Sequence, residues 1–148
     1  MPAPVAPHRD PLFLAALLAG PLCWLVLYVL QAPDIHWGWP LRAPWLFLLP
    51  VAFYPVVEEF IFRGLVQELV RDYISKAALG PLTVANLLTS VLFTALHFIY
   101  QPPQWALLVF FPSLVFGFFK ERSGGLTAPI ILHAFYNAGF IWLFTTSG

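Results

Sequence analysis

Long apolar stretches separated by short groups of charged residues are the main pattern along this chain. No Asp, Glu, Lys or Arg occurs in residues 11–30, 77–119 or 123–148. A helix needs about 20 mostly apolar residues to cross a membrane. The pattern predicts five apolar runs, at residues 11–30, 44–70, 81–100, 105–119 and 126–144.

The continuous apolar character of these runs favours helices. Strands of a membrane barrel would alternate apolar and polar residues, and an open sheet edge in lipid would leave backbone groups unpaired. We therefore predict an all-α, polytopic membrane helical bundle with about five transmembrane helices. It forms a single membrane domain over residues 1–148, with an N-terminal span and loop at 1–43 and the core that carries the chemistry at 44–145.

The first run, residues 11–30, has a signal peptide as its competing interpretation. Its length exceeds the apolar part of a signal peptide, which is typically about 7–15 residues. No small-residue cleavage site follows it in the sequence. We interpret the run as a retained span.

Composition and charge limit the partners of the chain. Hydrophobic residues make up 60% of it and charged residues 9%, whereas soluble domains are about 25% charged. A fold this short cannot bury so much apolar surface, so membrane lipid is a predicted partner. The formal net charge is zero, which gives no reason to expect nucleic-acid binding. The single cysteine, Cys23, excludes an intramolecular disulfide.

The loop charges predict an orientation. With five spans, the N-terminus shares one side with the 71–80 and 120–125 loops, and that side carries Arg9, Arg71, Lys76, Lys120 and Arg122. The other side carries Arg42. Because basic loops stay in the cytoplasm, we predict a multi-pass protein of the cell (cytoplasmic) membrane with a cytoplasmic N-terminus. The tryptophans that fall near the predicted outer ends, where aromatic rings favour the interface, are Trp37, Trp39, Trp45, Trp105 and Trp142.

The pair Glu58–Glu59 is the first candidate for chemistry. A charge at mid-bilayer costs about 2.5–3.5 kcal/mol even on the lenient scale. Glu59 and Arg63 lie four residues apart, on one helix face, and can form an ion pair. Glu58 points about 100° away and is free to act as a general base towards water. The alternative is that the helix enters water near residue 58, although residues 60–62 continue the apolar run.

Two further polar groups lie in apolar runs. His97 follows Phe93 by four residues, and His133 precedes Asn137 by four. Polar side chains in spans usually face the bundle interior, so these residues and Glu58 can converge on one cavity. An imidazole N–H and an amide N–H can donate to a developing oxyanion. A lone histidine on an apolar face is more often a core residue, but two of the four histidines lie within spans here.

Together these residues resemble the CAAX-protease and bacteriocin-processing family of intramembrane proteases. Order and spacing agree with the family over roughly residues 44–145, and the first span lies outside the match. The three family motifs are E-E-x-x-x-R, F-x-x-x-H and H-x-x-x-N, matched by Glu58, Glu59 and Arg63, by Phe93 and His97, and by His133 and Asn137.

The resemblance implies a glutamic-type intramembrane endopeptidase that needs no metal or other cofactor. By it, Glu58 is the base that activates water, and His97 helps to position that water. His133 and Asn137 belong to the oxyanion hole, and the remaining motif residues support the site. The implied substrate is a membrane-anchored protein, lipidated or held by a C-terminal segment.

Other interpretations stay open. Zinc could be held by Glu58, His97 and His133, since three protein ligands and a water make a catalytic zinc site, although the H-E-x-x-H spacing is absent. Intramembrane Glu and His also build proton relays, for which polar residues should line a through-going path; here they are clustered. A non-catalytic membrane partner, such as an immunity factor, is a third possibility.

One expectation conflicts with a shared site. The predicted bounds place His97 near the outer end of its helix. They place His133 only about two turns from the cytoplasmic end of its own. A common site then requires helix tilt, a kink or a partly immersed segment at residues 72–80.

Overall fold

The computed structural model describes residues 6–145, and it is 79% helical. Within this range a short 3-10 turn (Pro7–Arg9) precedes the first helix. The helices are α1 (Pro11–Gln31), α2 (Trp39–Arg42), α3 (Pro44–Tyr73), α4 (Val84–His97), α5 (Pro103–Leu108), α6 (Phe110–Ser123) and α7 (Thr127–Phe144). An antiparallel hairpin of β1 (Ala78–Leu79) and β2 (Leu82–Thr83) connects α3 to α4.

Four helical segments of the described chain are long and apolar enough to cross a membrane. They are Pro11–Gln31, Pro44–Tyr73, Pro103–Ser123, which comprises α5 and α6, and Thr127–Phe144. The third predicted run, 81–100, becomes α4, which is apolar but has only 14 residues. The predicted helical membrane bundle is therefore confirmed, and its predicted number of spans is roughly matched.

The third predicted run is shorter in the structure because a turn precedes it. Gly80 adopts a positive φ of 64° in the hairpin turn, a conformation that glycine tolerates without steric cost. The Thr83 side chain then accepts a hydrogen bond from the Asn86 backbone N–H and caps α4. At its other end α4 stops at His97, so residues 98–100 form a turn.

Helix α3 is irregular around the glutamate pair. Two π-helical segments, Leu49–Phe53 and Phe60–Val66, flank a short α-helical segment, Tyr54–Glu59. Single-turn π segments are rare and occur frequently at functional sites. The two glutamates thus lie at the end of a six-residue α segment between two changes of helical register.

Helix α4 turns a polar face towards the rest of the bundle. Its buried polar residues are Asn86, Thr89, Ser90, Thr94 and His97. A Cβ atom on Gly117 of α6 would lie 2.0 Å from the Asn86 side-chain oxygen, so α4 and α6 can approach this closely only with glycine there. Polar groups face the bundle interior and apolar groups face outwards, as expected of helices in lipid.

Helix α1 is attached firmly to the rest of the bundle. Arg122 of α6 donates two hydrogen bonds, of 2.5 and 3.1 Å, to the Asp10 carboxylate before α1. Farther along, Trp24 fills the space beside Gly139 of α7, where a Cβ would come within 2.2 Å of its ring. Tyr136 donates a 2.7 Å hydrogen bond to the Ala16 carbonyl. The first span is therefore an integral part of the bundle.

Tryptophans gather at one end of the bundle. The indoles of Trp37 and Trp142 lie 6.0 Å apart, and the Trp39 indole donates to the Trp142 carbonyl at 3.1 Å. Trp105 packs on Phe140 of the same helix as Trp142, with ring centroids 5.2 Å apart. Which side of the membrane this end faces stays a prediction.

Candidate active site

Glu59 is buried at the junction of α3 and α7. Its Oε1 atom accepts a 3.1 Å hydrogen bond from Arg63 and lies 2.7 Å from the His133 Nδ1 atom. The side chains of Glu59 and Arg63 are fully buried. Because an ionised carboxylate can only accept, the hydrogen of this last contact belongs to Nδ1 of His133. Glu59 therefore holds two helices together and has little access to a reactant.

Arg63 is enclosed by groups that compensate its charge. Its second Nη atom donates to the Ser113 carbonyl at 2.9 Å and to the Ser113 hydroxyl at 2.6 Å. The guanidinium carbon lies 4.6 Å from the Phe93 ring centroid and 5.5 Å from that of Phe116. A buried charge is tolerated only when it is paired and hydrogen-bonded, and aromatic faces add cation–π attraction.

Glu58 differs from its neighbour in exposure and in bonding. Its side chain is 27% exposed, and its Oε2 atom lies 3.6 Å from the His133 Nε2 atom. That separation is longer than a hydrogen bond, so no side-chain hydrogen bond engages this carboxylate within residues 6–145. The Nδ1 edge of the His133 ring thus contacts Glu59, and the Nε2 edge is directed towards Glu58. A carboxylate that is accessible and uncommitted can accept a proton from water.

The His133 ring is fixed by stacking as well as by Glu59. Its plane lies 18° from that of Phe116, with ring centroids 4.7 Å apart. The same Phe116 ring lies beneath the Arg63 guanidinium. Phe116 and Ser113, both on α6, are therefore site residues that the motif spacing did not reveal. A polar residue in an uncharged apolar run was the available signal for Ser113, whereas Phe116 is one of 15 phenylalanines in the sequence.

His97 is connected to His133 by Phe93, which lies against both rings. The Nδ1 atom of His97 lies 2.8 Å from the Phe93 carbonyl, which can only accept, so Nδ1 donates and Nε2 of the neutral ring keeps a lone pair. The Phe93 ring centroid is 4.5 Å from that of His97 and 6.0 Å from that of His133. Both histidines contact one phenylalanine, so the expected difference in membrane depth does not separate them.

Asn137 lies one turn beyond His133 on α7 and contacts a different part of α3. Its amide donates a 2.8 Å hydrogen bond to the carbonyl of Pro50, in the first π segment. Direct contacts thus connect Glu58, Glu59 and His133, whereas Asn137 contacts the α3 backbone.

Buried polar groups extend beyond the candidate residues. One turn after Arg63, the Gln67 amide donates to the Gly117 carbonyl at 3.2 Å and to Glu121 at 2.7 Å. The Thr83 hydroxyl donates to the same Glu121 oxygen at 2.6 Å. The polar residues therefore run along α3, α4 and α6 towards the 120–125 turn, instead of being confined to one cluster as the sequence indicated.

The zinc alternative requires Glu58, His97 and His133 to converge as ligands. In the part of the chain that the structure describes, no group of three or more His, Cys, Asp or Glu side chains is arranged to hold a metal ion. The Nδ1 atoms of both histidines already donate to protein oxygens. These hydrogen bonds leave Nε2 of each ring free, as in histidines that bind a metal, so the expected metal-free chemistry stays a prediction.

Comparison with known families places this geometry in context. The family described as "Type II CAAX prenyl endopeptidase Rce1-like" matches residues 40–139, a range that includes all three motifs. The chain belongs to this Rce1-like family. The resemblance drawn from the motifs is thereby confirmed, and with it membership of a family of membrane proteases. The Rce1-like match begins after α1, as the motif spacing predicted.

A curated relative of the Rce1-like chain is less informative about function. An Escherichia coli protein named "Uncharacterized 24.3 kDa protein" is 36% identical over 80 residues, which are 53% of this chain and 35% of that protein. The aligned part is thus about a third of the relative's length. No solved structure matches the chain.

Proposed function

We propose that the chain is a glutamic-type intramembrane endopeptidase in which Glu58 activates water to hydrolyse a peptide bond of a membrane-anchored protein. The family supports CAAX-type protease activity at the family level. The observation that carries the mechanism is that the two glutamates differ in burial and in hydrogen bonding. Glu59 is sealed between Arg63 and His133, whereas Glu58 is accessible and has no hydrogen bond of its own within the described chain.

In the proposed reaction, Glu58 takes a proton from water while the water oxygen bonds to the substrate carbonyl carbon. The carbonyl oxygen becomes an oxyanion, and the carbon–nitrogen bond then breaks as Glu58 returns the proton to the leaving amine. The Nε2 lone pair of His97 is suited to accept a hydrogen bond from the attacking water. In this scheme water is the nucleophile, and Glu58 and His97 hold it in position, so no nucleophilic side chain is needed.

His133 is the proposed oxyanion donor. Its Nδ1 atom donates to Glu59, and its Nε2 atom lies on the side of Glu58, where the substrate carbonyl is proposed to bind. The oxyanion role requires a hydrogen on both ring nitrogens. One N–H of Asn137 is committed to Pro50, and an amide has two, so Asn137 contributes at most one hydrogen to an oxyanion.

The proposed substrate and setting follow from the family. We place the chain in the cell membrane with a cytoplasmic N-terminus, acting on a lipidated or C-terminally anchored protein. A reporter enzyme that is active only in the cytoplasm, fused before the first helix, tests the orientation whether or not the 14-residue α4 crosses the membrane. Activity of that fusion supports the proposed orientation, and activity of a reporter that works only outside the cytoplasm, fused at the same point, contradicts it.

The decisive experiment compares cells that express the chain and its Glu58→Gln variant. New protein N-termini in the membrane fraction, identified by mass spectrometry, are expected with the unchanged chain and not with Glu58→Gln. Glu68→Gln is the matched control, since Glu68 lies on the same helix but forms its ion pairs with Arg71 and Lys120 instead. Cleavage that survives Glu58→Gln would refute the glutamate mechanism. Loss of cleavage with a strong chelator would instead favour zinc.

A second candidate function is proton or ion translocation, because the buried polar residues extend from Glu59 past Gln67 to Glu121. Proton flux in vesicles distinguishes the two functions. A flux that depends on Glu58, together with no detectable cleavage, would favour translocation.

A further inference from the structure

The first π segment of α3 leaves the carbonyl of Pro50 without a backbone hydrogen-bond donor. The Tyr54 N–H donates to the carbonyl of Leu49, five residues earlier. In this register the next donor, for the carbonyl of Pro50, would be the nitrogen of Pro55. That nitrogen carries no hydrogen. Within a membrane each backbone carbonyl needs a hydrogen-bond donor from the protein. The donor for the Pro50 carbonyl must therefore come from another helix.

Asn137 of α7 supplies that partner. Its amide donates to the Pro50 carbonyl at 2.8 Å. Four residues earlier on α7, His133 contacts Glu59 at 2.7 Å. Two attachments on one face of α7 therefore hold α3 on both sides of the α segment Tyr54–Glu59. Two such points restrict both the position and the rotation of the segment that carries Glu58.

We propose that Asn137 is a positioning residue, which pairs the Pro50 carbonyl and so keeps Glu58 opposite His133. The proposal rests on the proposed function of Glu58 as the base. It differs from the oxyanion role that the motif resemblance implies for Asn137. The structural consequence is specific: a backbone N–H at position 55 can do the work of the Asn137 amide.

The test is a rescue experiment on the full chain in detergent, using a substrate found in the N-terminus comparison. Asn137→Ala is expected to lower kcat by about 10- to 100-fold, since a misplacement of about 1 Å can cost that much, with KM little changed. Adding Pro55→Ala supplies the missing N–H. The double variant is expected to regain kcat to within about threefold of Pro55→Ala alone, an estimate from the same positioning argument.

Pro50→Ala is the matched control. It also removes a proline from α3, here from the π segment Leu49–Phe53, but it leaves the carbonyl at position 50 without a donor from position 55. Asn137→Ala combined with Pro50→Ala should therefore stay as slow as Asn137→Ala. Rescue by both prolines equally would overturn the proposal, as would an Asn137→Ala variant with unchanged kcat.

The buried Pro55 ring is the weak point of the rescue. If Pro55→Ala unfolds, Pro55→Val fills more of the space and also provides the N–H. Failure of both to restore kcat would mean that Asn137 contacts the substrate, and the proposal would be wrong.

Failure of the proposed function has a separate signature. If cleavage survives Glu58→Gln, the base assignment is lost, but thermal unfolding of the same variants still tests the hydrogen bond. Asn137→Ala should lower the Tm, and Pro55→Ala should recover more of that loss than Pro50→Ala does. Equal, additive changes in Tm would overturn the inference whatever the reaction is.

Discussion

Replacement of Arg63 by methionine tests whether the buried ion pair with Glu59 stabilises the site. The change removes the guanidinium and keeps a chain of similar length. Glu59 then loses its 3.1 Å partner while it stays fully buried. Removal of one member of a buried ion pair costs about 3–5 kcal/mol, because the other charge is left uncompensated. The variant also lacks the hydrogen bonds of Arg63 to Ser113 and its contacts with two aromatic rings. We therefore expect a loss of stability in the upper part of that range.

The free energy of unfolding in mixed detergent micelles measures this loss. A change of about 4.5 kcal/mol shifts the folding equilibrium by more than a thousandfold, at about 1.4 kcal/mol per factor of ten. Arg71→Met is the matched control on the same helix, since Arg71 is 43% exposed and pairs with Glu68 near the helix end. Exposed pairs of this kind contribute about 0–1 kcal/mol.

The double variant Arg63→Met with Glu59→Leu completes the argument. Replacing both members of a buried pair by apolar residues is often neutral or stabilising, so it should recover most of the lost stability. Recovery is limited by His133, which also loses its 2.7 Å acceptor. An Arg63→Met chain as stable as Arg71→Met, or a double variant worse than both single ones, would refute a structural role for the pair.

Three further outcomes follow from individual contacts. His97→Ala should lower kcat by about 10²- to 10⁴-fold, the usual contribution of a group that handles a proton, without a comparable change in Tm; full activity would remove His97 from the site. Gly117→Ala should destabilise the chain by about 1–3 kcal/mol, because its Cβ would lie 2.0 Å from Asn86, whereas Gly125→Ala, with no described atom within 4 Å of the added Cβ, should not. The hydrogen bond from Arg122 lowers the pKa of Asp10 below its ordinary value of 3.8, so the ion pair stabilises the fold above pH 3.8 and is lost as the pH falls through the lower, folded-state value; Asp10→Asn should remove that part of the acid sensitivity in a Tm series, and an unchanged acid profile would contradict it.

The part of the site that the sequence could predict is the part set by local spacing. Glu59 and Arg63 are four residues apart and do pair, and Glu58, about 100° around the helix, does not share that cation. Short-range geometry of a helix is almost independent of the rest of the fold. The Asn137 contact with Pro50 spans 87 positions in sequence, and no local rule relates them.

The shape of the third predicted run shows a similar limit. The predicted run begins at residue 81, directly after the predicted loop at 71–80, yet residues 78–83 form a hairpin that includes its first three residues. The Gly80–Pro81 pair was the available turn signal. A turn there begins α4 at Val84 and makes His97 its last residue. In the structure both His97 and His133 lie against the same phenylalanine, Phe93.

The irregular helix α3 shows how local helical register and long-range contacts depend on each other. A regular α-helix would pair the nitrogen of residue 55 with the carbonyl of residue 51, so the missing hydrogen of Pro55 would leave a different carbonyl free. The π register moves the gap by one residue, to Pro50, where the Asn137 amide can reach it. The register of the glutamate helix and the position of Asn137 therefore depend on one another. The sequence names both residues, but only their packing shows why each needs the other.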